Sequence, residues 1–118
     1  MICEPYTVVE VPFPFSDLPR SKRRKALVLS SEAFNRRNGA TILMMITSAG
    51  QSQWHLDVPL EQWSAAGLNK PCVARAKLFT LDNRLILGRT GVLAPGDAEA
   101  VRRAVQEAMP AMRGGQGD

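Results

Sequence analysis

The sequence predicts a mainly β domain with a C-terminal helix, a small antiparallel barrel or half-barrel. Two observations favour this class. Apolar segments of strand length follow one another between Val8 and Leu93, separated by residues typical of turns. Only the segment from Asp97 to Pro110 spaces its apolar residues as an amphipathic helix does, and Asp97 is the expected N-cap. One such helix laid against a sheet is typical of small β barrels.

The first half of the chain predicts three strands. Residues 8–13 form the first, which ends at the prolines of PFPF because proline cannot donate to a strand ladder. Residues 16–25 are polar and basic and predict a connection, whereas the apolar run ALVLSS, 26–31, predicts a buried strand. Residues 34–39, FNRRNG, predict a turn before the third strand at 40–48.

The second half predicts shorter elements. In WHLDVPL, residues 54–60, apolar and polar side chains alternate as in a half-buried strand. LEQWSAAG, 60–67, has helical propensity and ends at a glycine. CVARAKL, 72–78, predicts a strand, and two glycines within 85–93 predict a strand with a bulge or tight bend.

Length and composition predict one soluble domain. The chain has 118 residues, and we expect the domain to cover 1–112 and the tail at 113–118 to be disordered. No apolar run approaches the ~20 residues of a membrane span. The N-terminus also lacks the pattern of a signal peptide. We therefore expect a cytoplasmic protein that does not contact a membrane.

The cysteines favour neither a disulfide nor a metal site. Cys3 and Cys72 are expected to be reduced thiols, with Cys72 in the core, because cytoplasmic cysteines rarely form disulfides. No Cys/His cluster has the spacing of metal ligands, so we expect no bound metal. A nucleophilic pair of a cysteine with His55, the one histidine, is disfavoured because no surrounding pattern supports it.

Basic residues are concentrated in one short segment. The net charge is +4, and five of the fifteen Lys and Arg residues lie between Arg20 and Lys25. A modestly basic chain favours an anionic partner, either a nucleic acid or an acidic protein. A charge run is as often a solvated loop, so the segment alone leaves both interpretations open.

The order of several short motifs resembles one known family. VPFPFSD lies near the start, basic residues run into ALVLS, ITS closes the third strand, and GLNKP and KLFTLD…GVL follow. From about Val8 to Met109 this order resembles the MazF/PemK/Kid family of bacterial toxins. The resemblance implies an SH3-like barrel, a homodimer, and a metal-independent, sequence-selective endoribonuclease that cuts single-stranded RNA and is restrained by an antitoxin. It implies no cofactor.

The family's functional residues match this chain in part. The arginine before its ALVL-type strand corresponds to Arg24, which is followed by Lys25 where the family has proline. The hydroxyl residue that closes its third strand corresponds to Thr47, and an arginine of one branch corresponds to Arg75, an expected RNA contact. A glycine–aspartate pair before the first strand is replaced here by tyrosine and threonine. Ala76 stands where some members have an acidic residue.

Metal-independent RNA cleavage requires donors that hold the reacting phosphate. The ribose 2′-OH attacks the adjacent phosphate and leaves a cyclic phosphate and a 5′-hydroxyl, so negative charge builds up on the phosphorane. We expect the planar guanidinium of Arg24 to hold two phosphate oxygens and Thr47 or Ser48 to add a hydroxyl donor. Asp17 and His55 are the candidates for proton transfer, although a turn role for Asp17 and a simply exposed His55 are open alternatives.

The remaining candidates concern RNA and antitoxin binding. Arg20, Lys22, Arg23 and Lys25 are expected to form a phosphate-binding loop, which makes RNA binding depend on salt. Trp54 is a candidate stacking platform for a base, a contact worth about 1–3 kcal/mol, or else a barrel or interface residue. We expect an acidic antitoxin segment to cross the same groove, because its charge is complementary.

Two other functions remain open. A toxin of this fold can poison its target by binding alone, as gyrase-directed relatives do, and would then use the C-terminal helix and not need Arg24. A catalytically degenerate member would still form a dimer and bind an antitoxin or nucleic acid, but it would cut slowly because the proline and acidic positions have changed. Arg24→Ala separates these alternatives, because it abolishes cleavage and growth inhibition only in an endoribonuclease.

Overall fold

The computed structural model describes residues 1–13, 22–50 and 52–111. Its strands are β1 Thr7–Phe13, β2 Lys22–Val28, β3 Ala40–Ser48, β4 Val58–Pro59, β5 Cys72–Asp82 and β6 Gly88–Val92. Its helices are α1 Glu32–Asn38, a 3-10 turn Asn83–Leu85 and α2 Pro95–Ala108. The strands form one antiparallel sheet in the order β4-β5-β3-β2-β1-β6, curled into a half-barrel. The predicted mainly β class with a C-terminal helix is confirmed.

Each face of the sheet has its own apolar cluster, as the alternation of strand side chains requires. On one face the first cluster joins the sheet to α2 and includes Val8, Leu27, Met44, Val101 and Ala104. On the other face the second cluster includes Val9, Val11, Ala26, Val28 and Leu43. Cys72 lies in the first cluster and Cys3 in the second, and both thiols are free, as the sequence predicts. Within the described residues, no helix is long and apolar enough to span a bilayer.

The basic residues 22–25 lie on a strand. The predicted connection at 16–25 is wrong over this part, because β2 begins at Lys22 and pairs with β1 in continuous register, with Arg24 opposite Val11. The strand tolerates these charges because its first three residues extend past the buried part of the sheet and are exposed. The backbone of residues 22–25 is therefore fixed by ladder hydrogen bonds and is not a loop, whereas Arg20 lies outside the described residues.

A helix replaces the predicted turn at 34–39. Ser31 is the N-cap of α1, and its Oγ accepts a hydrogen bond from the N–H of Phe34 at 3.1 Å. Gly39 ends the helix with a φ of 67°, a conformation that glycine adopts at little cost. The residues that predicted a turn thus belong to a short capped helix, and β3 follows over the predicted 40–48.

The predicted strand at 54–60 is confined to Val58–Pro59. Residues 54–57 form a turn in which the N–H of Asp57 donates to the carbonyl of Trp54 at 3.2 Å. The N–H of Trp54 donates in return to Asp57 Oδ2 at 3.0 Å, and Leu56 takes a φ of 71°. The alternation of apolar and polar residues is misleading here, because a carboxylate side chain closes the segment into a turn.

The predicted helix at 60–67 is wrong, because the segment forms consecutive turns. Asp97 holds these turns in place. Its buried carboxylate accepts hydrogen bonds from the N–H groups of Glu61, at 3.0 Å, and Gln62, at 2.9 Å. The prediction of Asp97 as the N-cap of α2 is therefore also wrong, and Ala94 occupies that position.

The turn segment packs directly on β6. A Cβ atom on Gly91 would lie 2.3 Å from the carbonyl oxygen of Ala66, so only glycine allows this approach. β6 pairs with β1 through a register shift, which confirms the predicted bulge. The end of α2 at Ala108, before Pro110, also agrees with the prediction.

Tyr6, which stands where the resemblance has a glycine, takes a φ of 67°. It lies in a turn in which the N–H of Thr7 donates to the carbonyl of Glu4 at 3.2 Å. This left-handed backbone conformation favours glycine, and Tyr6 adopts it here.

Candidate functional site

An open cleft of about 210 Å³ lies where β2, β3 and β5 extend past the second apolar cluster. We call it the Arg75 cleft, and it is lined by Phe13, Arg24, Met45, Ile46, Thr47, Arg75 and Lys77. Strand pairing creates this arrangement, because Met45 lies opposite Arg75 on β5 and opposite Ala26 on β2. Three cations, a hydroxyl and an aromatic ring therefore line one cleft.

Arg24 is the arginine of this cleft that has no acidic partner in the described part of the chain. Its Cζ lies 5.7 Å from the centroid of the Phe13 ring, a cation–π contact that orients the guanidinium without neutralising it. Among residues 1–13, 22–50 and 52–111, no carboxylate oxygen lies within ion-pair distance of Arg24. Its charge and its N–H donors are therefore available to an anion.

The neighbours of Arg24 on β2 point to the opposite face of the sheet. Arg23 Nη1 lies 3.4 Å from Glu10 Oε1, and Lys25 Nζ lies 3.3 Å from Glu10 Oε2. Lys25 also donates to Thr90 Oγ1 at 3.3 Å. The Glu10 carboxylate thus pairs with two cations. Within the described part of the basic cluster, Arg23 and Lys25 are paired with a carboxylate and Arg24 is not.

Arg75 is fixed by Asp57. Its Nε donates to Asp57 Oδ1 at 3.1 Å and its Nη2 to Oδ2 at 2.9 Å, a bidentate pair whose side chains are only 11% and 13% exposed. Nη2 also donates to the carbonyl of Ser52 at 3.2 Å. The bonds from Arg75, together with that from the N–H of Trp54, hold the pKa of the Asp57 carboxyl below its usual range despite burial. The carboxylate in turn raises the pKa of Arg75.

Trp54 lies against the same guanidinium. Arg75 Cζ is 5.2 Å from the centroid of the Trp54 ring, and the Trp54 residue is 47% exposed. The turn at 54–57 therefore builds one unit from a carboxylate, a guanidinium and an indole ring. A large aromatic surface stays open to solvent beside the cleft.

A second cleft, of about 190 Å³, adjoins the first. We call it the Lys70 cleft, and it is lined by Arg23, Arg24, Lys25, Ile46, Thr47, Ser48, Leu68, Asn69, Lys70 and Cys72. Arg24 and Thr47 line both clefts. The ends of β2 and β3 thus form the boundary between two basic depressions.

The structure brings the main predicted residues together. Arg24, Thr47 and Arg75 line the Arg75 cleft, and Ser48 lies next to Thr47 at the end of β3. Trp54 contacts Arg75 from the side. Their convergence follows from the register of β2, β3 and β5, which a single sequence does not reveal.

Other predicted residues are not part of this group. His55 is exposed on the turn at 54–57 and is not among the residues that line the two clefts. Lys22 is exposed at the start of β2. Arg20 and Asp17 lie within 14–21, outside the described residues, as does the tail at 113–118.

Sequence reasoning missed Lys77, Asp57, Phe13, Asn69 and Lys70. Lys77 could have been found, because it follows Arg75 by two residues on a strand and so shares its face. Asp57 could not, because its partner lies eighteen residues away across a turn that the alternation pattern conceals.

The thiols and acidic residues offer little other chemistry. Burial raises the pKa of the Cys72 thiol, which keeps it protonated at neutral pH and a poor nucleophile. Within the described parts of the chain, no three His, Cys, Asp or Glu side chains are grouped as metal ligands would be.

The Arg75 cleft is suited to a phosphodiester. Guanidinium groups bind two phosphate oxygens at once, a hydroxyl adds a neutral donor, and an exposed aromatic ring can stack a base. These groups are held by ladder hydrogen bonds or by a bidentate pair, so little reorganisation accompanies binding.

Comparison with known proteins identifies relatives of the whole chain. A family model described as the PemK-like, MazF-like toxin of type II toxin–antitoxin systems matches residues 4–109. No curated protein matches the sequence significantly.

Solved structures share the fold over nearly the full length. A MazE–MazF complex from Deinococcus radiodurans superposes with a TM-score of 0.72 at 19% identity, covering 95% of this chain and 99% of that one. An endoribonuclease in complex with its cognate antitoxin, from a mycobacterial species, gives 0.71 at 15% identity, covering 95% and 97%. The Mycobacterium tuberculosis toxin MazF-mt6 gives 0.72 at 18% identity, covering 91% and 99%.

Proposed function

Because this chain belongs to the PemK-like, MazF-like toxin family of type II toxin–antitoxin systems, we propose that it is an endoribonuclease that cuts single-stranded RNA without a metal. The observation that carries the proposal is the guanidinium of Arg24, which has no acidic partner among the described residues and lines a cleft that also holds Thr47, Arg75 and Lys77. The mycobacterial endoribonuclease that shares this fold gives further support.

The reaction is transesterification at one phosphate. The 2′-oxygen of the ribose loses its proton and bonds to phosphorus, and the bond to the 5′-oxygen breaks as that oxygen gains a proton. The products are a 2′,3′-cyclic phosphate and a 5′-hydroxyl. Arg24 stabilises the charge that develops on the non-bridging oxygens, and Thr47 donates a hydrogen bond to the same phosphate. Lys77 holds the RNA backbone beside it, and Arg75, fixed by Asp57, shapes the wall of the cleft that the RNA contacts.

Two side chains are candidates for proton transfer. His55, exposed on the turn beside Trp54, and Asp17, outside the described residues, remain the candidates for acid and base. If His55→Gln lowers the cleavage rate and makes that rate less dependent on pH, His55 is the group that transfers the proton. If the dependence of the rate on pH is unchanged, another group transfers the proton.

The partners follow from charge and fold. An acidic segment of a cognate antitoxin would cover the two clefts and compete with RNA for Arg24. Complexes of similar toxins with MazE or a cognate antitoxin support such a partner. We further propose that the toxin acts as a homodimer in the cytoplasm, which sedimentation and cell fractionation test.

The test uses the purified protein and a long single-stranded RNA in EDTA. We expect cuts at selected sites, with 5′-hydroxyl ends and 2′,3′-cyclic phosphates, and no cut where the attacking ribose is 2′-deoxy. Arg24→Ala should abolish both cleavage and growth inhibition.

Other outcomes distinguish the alternatives. Growth inhibition that survives Arg24→Ala, without RNA cleavage, indicates a protein that poisons its target by binding alone. Binding of RNA or antitoxin without cleavage by the wild type indicates a degenerate member. Ends that carry a 5′-phosphate contradict the mechanism.

A further inference from the structure

We propose that the Lys70 cleft binds the nucleotide next to the scissile phosphate, with Asn69 reading its base and Lys70 holding its backbone. This inference rests on the proposed function and deepens it, because it assigns part of the sequence selectivity to one side chain.

The position of the cleft supports a nucleotide site. Arg24 and Thr47 line both clefts, so a phosphate held there lies on the boundary between them. An RNA strand that places a phosphodiester at Arg24 must continue in both directions. The Lys70 cleft is the adjoining depression on one side.

The lining of this cleft matches the parts of a nucleotide. Arg23 and Lys25 are already paired with Glu10, which leaves Arg24 and Lys70 as its cations without an acidic partner among the described residues. Its floor is apolar and includes Leu68 and Cys72, which are buried. A phosphate suits the cations, and a base suits an apolar floor with a few polar groups around it.

Asn69 supplies the polar group that can distinguish bases. It is exposed, and its amide has no hydrogen-bond partner within the described part of the chain. An amide carries both a donor and an acceptor, so it can pair with two groups on one base edge. Single-stranded RNA exposes those edges, and proteins that select RNA sequences read them there.

The segment that carries Asn69 is held on both sides. The N–H of Leu68 donates to the carbonyl of Trp63 at 3.0 Å, and the N–H of Ala49 donates to the carbonyl of Pro71 at 3.1 Å. A Cβ on Gly67 would lie 2.4 Å from the carbonyl oxygen of Thr90, which shows how closely the segment packs on β6. A fixed backbone lets the amide discriminate between bases at little entropic cost.

The experiment compares Asn69→Ala and Lys70→Gln with two matched controls on α1, Asn38→Ala and Arg37→Gln, whose side chains are exposed. Each protein cuts a pool of random single-stranded RNA, and the 5′-hydroxyl ends are sequenced. Asn69→Ala should weaken the base preference at one position beside the cut by about tenfold. Lys70→Gln should keep that preference and lower the affinity for a fluorescent single-stranded RNA about threefold or more at low salt.

The two proposals fail separately. If wild type cuts and Asn69→Ala keeps every base preference, the inference is overturned while the endoribonuclease stands. If wild type cuts no RNA, the proposed function fails and binding decides the inference. Weaker RNA binding by both variants than by their controls then supports a nucleotide site, and equal binding overturns it.

Discussion

Arg24 and Arg75 line the same cleft, and each contacts an aromatic ring, but among the described residues only Arg75 is paired with a carboxylate. Arg75 is held by both oxygens of Asp57 and by the carbonyl of Ser52. Arg24 has the ring of Phe13 and, within the described residues, no carboxylate. The pair at Arg75 neutralises charge and fixes geometry, whereas Arg24 keeps its full charge.

This difference separates two tasks that a phosphate site requires. A fixed, neutralised arginine shapes the wall of the cleft and supports the indole of Trp54. An unpaired arginine can respond to charge that appears in the transition state, where stabilisation is worth most. We therefore propose that Arg24 takes part in the chemistry and that Arg75 positions the groups around it.

The largest effect is expected from Arg24→Ala. Loss of one preorganised donor at the reacting phosphate should lower the cleavage rate about 100- to 1,000-fold. The melting temperature should stay close to that of the wild type, because Arg24 is exposed. Initial rates on a defined RNA and a thermal melt measure both, with Arg37→Ala as the control. A rate above about a tenth of the wild-type value would remove Arg24 from the chemistry.

The second effect concerns stability. Asp57→Asn leaves the Arg75 guanidinium without its carboxylate and weakens the turn at 54–57, so we expect the free energy of unfolding to fall by about 1–3 kcal/mol. Urea denaturation measures it. Asp82→Asn is the matched control, because the Asp82–Arg84 pair has the same chemistry but is exposed, and it should change stability little. If both variants lost the same free energy of unfolding, burial of the Asp57–Arg75 pair would add nothing to stability.

The same pair should make stability depend on pH. The folded protein lowers the pKa of Asp57, so its contribution is complete above the unfolded value of about 4 and is lost as the pH falls through the folded value. The difference in unfolding free energy between wild type and Asp57→Asn should be largest near pH 7 and shrink below about pH 4. If this difference in unfolding free energy grew as the pH fell, the Asp57 carboxylate would not be stabilised by its pair with Arg75.

A smaller effect is expected at the exposed ring. Trp54→Ala should weaken binding of single-stranded RNA about tenfold, because one base loses its stacking surface. Trp54→Phe should recover most of this affinity, since it restores an aromatic face. Fluorescence anisotropy with a short labelled RNA measures both variants, and equal affinities for all three proteins would limit Trp54 to supporting Arg75.

The smallest effect should come from Glu10→Gln on the opposite face. Releasing Arg23 and Lys25 from their shared carboxylate makes two more cations available, so RNA should bind about two- to threefold more tightly at low salt. The gain should disappear at high salt. Unchanged binding at low salt would indicate that Arg23 and Lys25, which line the Lys70 cleft, do not themselves contact RNA phosphates.

The sequence predicted the sheet better than the turns. β3 was predicted with its observed bounds because it combines a continuous apolar run with flanking turn residues. The segment at 54–67 was assigned wrongly because two carboxylates, Asp57 and Asp97, bond backbone N–H groups of the turns there. The Asp57 contact is local and the Asp97 contacts are tertiary, and neither kind leaves a periodic signal in the chain.

Motif order supplied residues of the candidate site but not its geometry. Arg24, Thr47 and Arg75 came from motif order, yet the division of the basic segment between two faces required the register of β2. The alternation rule alone separates Arg24 from Arg23 and Lys25 once the strand is known to begin at Lys22. The sequence alone did not show that β2 begins at Lys22, and this is why the separation of Arg24 from its neighbours was not predicted.

The most direct test of the contrast compares Arg24→Lys with Arg75→Lys at saturating protein, in single-turnover cleavage of one RNA. Lysine keeps the charge and removes the planar fork, so Arg24→Lys should cleave at least about tenfold more slowly even when all RNA is bound. Arg75→Lys should lose stability but approach the wild-type rate at saturation. A slow Arg75→Lys beside a wild-type rate for Arg24→Lys would contradict the assignment.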